Sequence, residues 1–155
     1  MRRREFITVF GGAAAAWSLA AARGQERNRP RRIAVIMIYA EIDPEGQARF
    51  SALRQQLQKL GWAEGNNFQI DVRWAAGKPD LMQAYATEFV GLPADVIVVS
   101  STPLLAVMQQ LTRTIPIVFT QVVDPIGSGF VSNYARPGGN ITGSMDLCCR
   151  SFGAF

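Results

Sequence analysis

The sequence predicts an α/β domain built on a doubly wound parallel sheet, and three observations carry that expectation. First, the runs RIAVIMIYA (32–40) and ADVIVVSS (94–101) are nearly continuous in apolar residues and rich in Ile and Val, as strands buried on both faces are. Second, stretches with apolar residues at helical spacing follow such runs, so strand and helix alternate four times along the chain. Third, about 131 residues remain after an N-terminal leader, enough for one domain around one core. Right-handed crossovers then place helices on both faces, with an expected strand order of 2-1-3-4 and a possible short fifth strand.

The leader is MRRREFITVFGGAAAAWSLAAARGQ. Arg2, Arg3 and Arg4 precede a 16-residue apolar run from Ile7 to Ala22 that is mostly alanine and is interrupted by Gly11 and Gly12. A spanning helix wants roughly 20 strongly apolar residues, so the run is short for an anchor. A basic start, an apolar centre and small residues at its end read as a secretory signal peptide over residues 1–24, cut after Ala22 or after Gly24. A buried amphipathic helix and an uncleaved anchor are the lesser alternatives. The stretch Arg3-Arg4-Glu5-Phe6-Ile7 resembles the twin-arginine export signal, although Arg2 stands where Ser or Thr is usual and Thr8 where Lys is usual. That resemblance implies the twin-arginine export machinery as a partner, reading Arg3, Arg4 and Phe6.

Removing the leader changes the charge argument. The chain carries a formal +4, which taken whole would suggest a partner such as nucleic acid or a membrane surface. Yet eight of its 16 Lys and Arg residues precede Ile33, and from Ile33 onward 8 bases face 10 acids. Counting from Gln25 gives a net of +1. The segment QERNRPRR (25–32) reads as a solvated linker, because no aromatic residue interleaves with its charges as a nucleic-acid platform requires. No nucleic-acid partner is expected.

The domain proper is expected over 33–143. After the first strand, Phe50, Leu53, Leu57 and Leu60 form a helical stripe that Gly61 ends, and Trp62 folds back on the last turn as a packing residue. FQIDVRWA (68–75) alternates and belongs nearer an edge of the sheet. Asp80 precedes a second helix whose apolar face is Leu81, Met82, Tyr85, Phe89 and Val90. The strand at 94–101 leads to Thr102-Pro103, read as an N-cap and a proline at the first helical position, and then to a third helix burying Leu104, Leu105, Met108 and Leu111. IPIVFTQ (115–121) is the next strand, Ile126 to Tyr134 a short helix, PGGN (137–140) a turn, and ITG the start of a short extended piece.

Ligands of open α/β sheets bind outside the carboxyl ends of the strands, near the switch in strand order. Tyr39, Ala40 and Glu41 lie there after the first strand, Ser100 to Thr102 after the third, and Thr120, Gln121 and Asp124 after the fourth. Ser-Ser-Thr-Pro entering a helix offers hydroxyls and unpaired backbone N–H groups to a carboxylate or phosphate; ordinary capping explains the same residues, and spacing alone does not separate the two. Glu41, Asp43 and Glu45 read as partners of a helix dipole rather than as a catalytic set. The chain has no histidine, which removes Ser-His and Cys-His nucleophiles, and it has no G-x-S-x-G elbow. Gly127-Ser128-Gly129 lacks the third glycine of a dinucleotide loop, and Gly138-Gly139 lacks the Lys of a phosphate loop. Cys148 and Cys149 are adjacent, and with no histidine they cannot fill a typical zinc shell, so neither a disulfide framework, a metal site nor a cofactor is expected.

Taken together, LGWAEGNN, VRWAAGKPD, VIVVSSTP, TIPIVFTQVVDPIGSGFV and RPGGNITG resemble the substrate-binding proteins of ABC transporters that have the type I periplasmic-binding-protein fold. The resemblance runs from Met1 to about Gly143, and IPIVF…DP…RPGGNITG is its most specific part. It implies two α/β lobes closing on a ligand, an ABC permease and ATPase subunits as partners, and a periplasmic location. It also implies that Ser101 and Thr102 contact the ligand, often an amino-acid-like carboxylate, with Asp124 and the loop after Tyr39 at the same cleft; Gln121 joins these candidates by its place at the strand end. The tail SMDLCCRSFGAF (144–155) departs from the family, whose members continue into hinge strands and a second lobe, and it reads as a truncation or a shifted frame. The leading expectation is therefore an exported, non-enzymatic solute-binding component. An inactive truncated remnant of such a protein is the alternative, and a small exported α/β enzyme a weaker one. A sensory module of the same fold fails because an export signal occupies the place of a DNA-binding segment.

Overall fold

β1 (Arg31–Met37) lies inside the sheet, with β2 (Phe68–Trp74) hydrogen-bonded to one side of it and β3 (Val96–Val99) to the other. The structure is a computed structural model and describes residues 29–133 and 137–143. β4 (Ile117–Phe119) and β5 (Ile141–Gly143) complete a five-stranded sheet in the order β2-β1-β3-β4-β5. Every pairing is parallel, with Val35 opposite Val72 on one side and Val98 on the other. The expected order and the fifth strand are both present, and the alternating strand β2 does lie at an edge. β1 begins at Arg31, one residue before the expected start of the strand at Arg32, and Arg31 and Arg32 pair with Phe68 and Gln69 while their guanidinium groups meet Asp95 (3.1 Å) and Asp71 (2.6 Å).

Alternation along each strand divides the core. Ala34, Ile36, Ile97, Val99, Ile117, Phe119 and Ile141 belong to one buried cluster, packed against α2 (Pro79–Gly91) and α3 (Thr102–Leu111). Ile33, Val35 and Met37 belong to the other, under α1 (Pro44–Lys59) with Val96 and Val98 beside them. Helices on both faces of a parallel sheet are the doubly wound arrangement. Met82, Ala86 and Phe89 of α2 and Leu104, Leu105 and Met108 of α3 are buried, each large side chain contributing about 1.5–3 kcal/mol.

α1 is the more polar helix, and its stripe is only half-covered: Phe50, Leu53 and Leu57 are partly buried, as is Val98 opposite them. Asp43 caps its start, accepting from the Glu45 and Gly46 N–H groups. At its end the Gly61 N–H donates to Gln58 O and the Trp62 N–H to Leu57 O, both at 3.0 Å, a Schellman closure with Gly61 at φ +87°. Trp62 then packs edge-on to Phe68, as expected of a packing residue. Leu60 is a correction: it is the C-cap residue, 75% exposed, and is not part of the apolar stripe.

A second correction concerns the expected helix from Ile126 to Tyr134. The chain makes only turns over 125–129, closed by Phe130 N–H donating to Pro125 O at 2.9 Å. Gly129 at φ +76° stops any further helical turn. Tyr134, the export residues Arg3, Arg4 and Phe6, and the tail 144–155 lie outside the described residues.

Candidate functional site

The carboxyl ends of β1 and β3 form the switch point, with that of β4 next to β3, and a side-chain bond extends the β1–β3 pairing after its ladder stops. Past Met37 the Ile38 N–H donates to Ser100 Oγ at 2.9 Å, and the Ser100 hydroxyl lies 3.4 Å from Ile36 O. On the other side the β2–α2 loop closes over β1: the N–H groups of Ala75, Ala76 and Gly77 donate to Met37 O, Tyr39 O and Ile38 O. Ala76 and Gly77 take left-handed conformations (φ +51° and +68°) to reach these carbonyls. The backbone that presents Tyr39 is thus clamped from both neighbouring strands.

The cap of α3 lies one residue earlier than spacing suggested, at Ser101 and not at Thr102. Ser101 is the N-cap of α3: it is buried, and its Oγ accepts from the Leu104 N–H at 3.4 Å. Thr102 is the first helical residue and Pro103 the second. One residue decides this, because Ser101 still has extended backbone (φ −172°, ψ 161°) and so can turn its side chain back onto the helix. The first helical bond runs from Leu105 N–H to Ser101 O at 3.1 Å. Pro103 has no N–H and that of Leu104 is capped, which leaves the Thr102 N–H as the first-turn donor without an intrahelical acceptor. Thr102 Oγ1 itself accepts from the Val123 N–H at 3.2 Å, tying α3 to the loop after β4.

That loop is strained. Gln121 (φ +56°) and Asp124 (φ +44°) are non-glycine residues in the left-handed region, each costing on the order of 1 kcal/mol. The turn at Gln121 sends its side chain back to Tyr39, where Nε2 donates to the phenolic oxygen at 3.0 Å. β3 lies between β1 and β4, so this bond spans two strand spacings of about 4.8 Å each, across the end of β3. Asp124 behaves differently: its Oδ1 accepts from the Gly127 N–H at 2.8 Å, closing a turn within its own loop. Tyr39, Ser101, Thr102 and Gln121 are therefore brought to one strand end, whereas Asp124 is committed to loop geometry. Ile42, Val123 and Ile126 are exposed in the same set of loops and give them an apolar rim.

Two residues near Tyr39 have no signal in the sequence. Gly46, buried in the first turn of α1, is so near that a Cβ there would lie 2.6 Å from Tyr39 Cβ and 3.1 Å from the Trp74 ring. Arg49 places its guanidinium carbon 5.9 Å from the centre of the Tyr39 ring, held by Glu45 one turn back. Glu45 and Asp43 thus serve the helix, in the role expected of that acidic cluster.

Similarity to known proteins identifies the family and the fold. A family model described as ABC transporter substrate binding protein matches residues 32–149. The chain is 36% identical over 90 residues to a tyrosine-binding protein of Clostridioides difficile (strain R20291), covering 58% of this chain and 26% of that protein. A conserved domain protein of Vibrio cholerae has the same fold, with a TM-score of 0.68 and 36% identity over 74% of this chain and 38% of that one. The ligand-free, open structure of a substrate binding protein with adhesive properties from Clostridium difficile matches with a TM-score of 0.66 and 29% identity, over 73% of this chain and 38% of the other. The chain spans at most about two-fifths of these relatives. Its sheet is that of the type I periplasmic binding proteins. The chain belongs to the ABC transporter substrate binding protein family, whose members bind substrates and are not enzymes.

Proposed function

We propose that residues 33–143 are the N-terminal lobe of an exported solute-binding component, which captures an amino-acid-like ligand for an ABC permease and its ATPase subunits. The observation that carries this reading is the placement of Ser101, Thr102 and the Tyr39–Gln121 pair at one strand end, the switch point between β1 and β3. The Thr102 N–H at the positive end of α3 suits a carboxylate, and Tyr39, just past the end of the adjacent strand β1, would meet the rest of the ligand. The 36% identity to a tyrosine-binding protein favours an aromatic amino acid as that ligand.

Residues 1–24 serve as a twin-arginine signal read at Arg3, Arg4 and Phe6, which delivers the lobe to the periplasm after cleavage near Ala22 or Gly24. Replacing Arg3 and Arg4 with Lys is expected to hold the protein in the cytoplasm; undiminished export would point to the general secretory route.

Saturation-transfer NMR on the 155-residue chain, with L-tyrosine, L-leucine and citrate as probes, tests ligand capture. Transfer to L-tyrosine that falls in Thr102→Pro, which removes the N–H, is expected. Equal transfer in both proteins overturns the carboxylate site.

A further inference from the structure

Tyr39 is held at more points than a residue at a strand end needs. Its carbonyl accepts from the Ala76 N–H at 3.1 Å, and its phenolic oxygen accepts from Gln121. The base of its side chain rests on Gly46, where a Cβ would come within 2.6 Å of Tyr39 Cβ and 3.0 Å of its Cγ. Arg49 lies over the ring, and its own position is set by Glu45. These groups come from α1, the β2–α2 loop and the loop after β4, so nothing local to Tyr39 explains their convergence.

We propose that Gly46 and Arg49 are positioning residues that fix the Tyr39 ring as the wall of the ligand pocket that selects flat, aromatic side chains. The inference rests on the reading that ligands bind at this strand end. Gly46 is the only buried residue of α1, and it lies under the tyrosine. A glycine inside a helix weakens it relative to alanine, and here its missing methyl is what lets α1 approach the base of the ring. The hydroxyl is tied by Gln121, one of the two strained left-handed residues of its loop, and the Trp74 ring also borders the space that the absent Cβ of Gly46 leaves. Held in this way, the ring has little rotamer freedom left to lose when a ligand binds. An immobile aromatic surface favours offset or edge-on contact with another ring over contact with a branched aliphatic chain. The expected result is a preference of about fivefold for L-tyrosine over L-leucine, most of which disappears when the ring is released.

Two-dimensional NMR on the full 155-residue chain tests this with a readout that needs no ligand and one that does. Wild type should show a nuclear Overhauser contact between the Tyr39 ring and the Gln121 side-chain amide, and should bind L-tyrosine more tightly than L-leucine. Gly46→Ala should lose the contact and bring the two affinities within about twofold, while both amino acids still shift the Ser101 and Thr102 amides. Because a methyl at position 46 also presses on Trp74, Arg49→Gln is measured beside it; it keeps the glycine, and should weaken the preference by about twofold. Variants that keep both the contact and the full preference overturn the positioning role and leave the binding site standing. Wild-type protein in which no amino acid shifts Tyr39, Ser101 or Thr102 overturns the site itself, and the selectivity with it.

Discussion

Replacing Ser100 with alanine removes one oxygen from the interior and leaves one N–H without its acceptor. The Ile38 amide donates to Ser100 Oγ at 2.9 Å, at the point where the β1–β3 ladder has ended. Ile36 O keeps a partner, because the Ser100 backbone N–H also donates to it at 3.3 Å. The loss is therefore the Ile38 bond, with the desolvation of its half-buried donor, and the long 3.4 Å bond from the hydroxyl to Ile36 O, about 1–2 kcal/mol in all. With a urea slope of about 1–2 kcal/mol per molar, the unfolding midpoint should fall by roughly 1 M. Hydrogen exchange localises the effect: the Ile38 amide should lose protection while amides of α2 and β2 change only by the global amount. A midpoint shift below about 0.2 M, with Ile38 protection intact, would show that the clamp on Tyr39 does not depend on this serine.

Other perturbations separate packing from exposure. Gly143→Ala would place a methyl 2.4 Å from Phe119 O and 2.7 Å from its ring, and since the first contact is backbone it should cost about 1–3 kcal/mol by chemical denaturation. Leu104→Ala, at a side chain with no exposure, should cost about 2–5 kcal/mol, whereas Leu60→Ser at a 75% exposed site should stay within about 0.5 kcal/mol. Leu53→Ala and Val98→Ala fall between these limits, because both side chains are half-covered. The hydrogen bond and charge of Asp71 raise the Arg32 guanidinium above its ordinary value, and the hydrogen bond to Glu88 does the same for Arg73. A raised folded-state value means that any stabilisation is fully present below the ordinary arginine range and fades only above it. Melting temperatures should thus show no loss from these pairs between pH 7 and pH 10, roughly.

The framework of the sheet was legible because its residues report their own surroundings. Val35, Ile36, Ile97 and Val99 lie in unbroken apolar runs, and such runs occur where both faces are covered. Gly61 and Trp62 were legible for a similar reason, since the Schellman closure needs only local sequence. Local reading failed by one residue at Ser101 and Thr102, where either hydroxyl could cap and only backbone conformation decides. It failed more widely from Ile126 onward, where the apolar residues Ile126, Phe130 and Val131 suggested a helix that Gly127 and Gly129 do not sustain. Gly46 and Arg49 acquire their roles from Tyr39 in another element, so composition and period carry no trace of them, and Ser100, legible as a strand-end residue, gives no sequence sign of its bond to Ile38. Tyr39 and Gln121 are both legible as strand-end residues, where this fold holds its ligands, but the bond joining them depends on a left-handed turn that no sequence pattern marks.

The central claim is that the strand end carrying Tyr39, Ser101, Thr102 and Gln121 is the ligand site of this lobe. Proton–nitrogen correlation spectra of the 155-residue chain, titrated with L-tyrosine, test it most directly. A two-lobe protein of micromolar affinity has about −8 kcal/mol to divide, and one lobe holding half of it binds near millimolar. Saturable shifts confined to those four residues and their neighbours, with that affinity, are the expected result. Silence there up to about 10 mM ligand, or shifts gathered instead around Trp62 to Gly65 at the opposite end of α1, would contradict it.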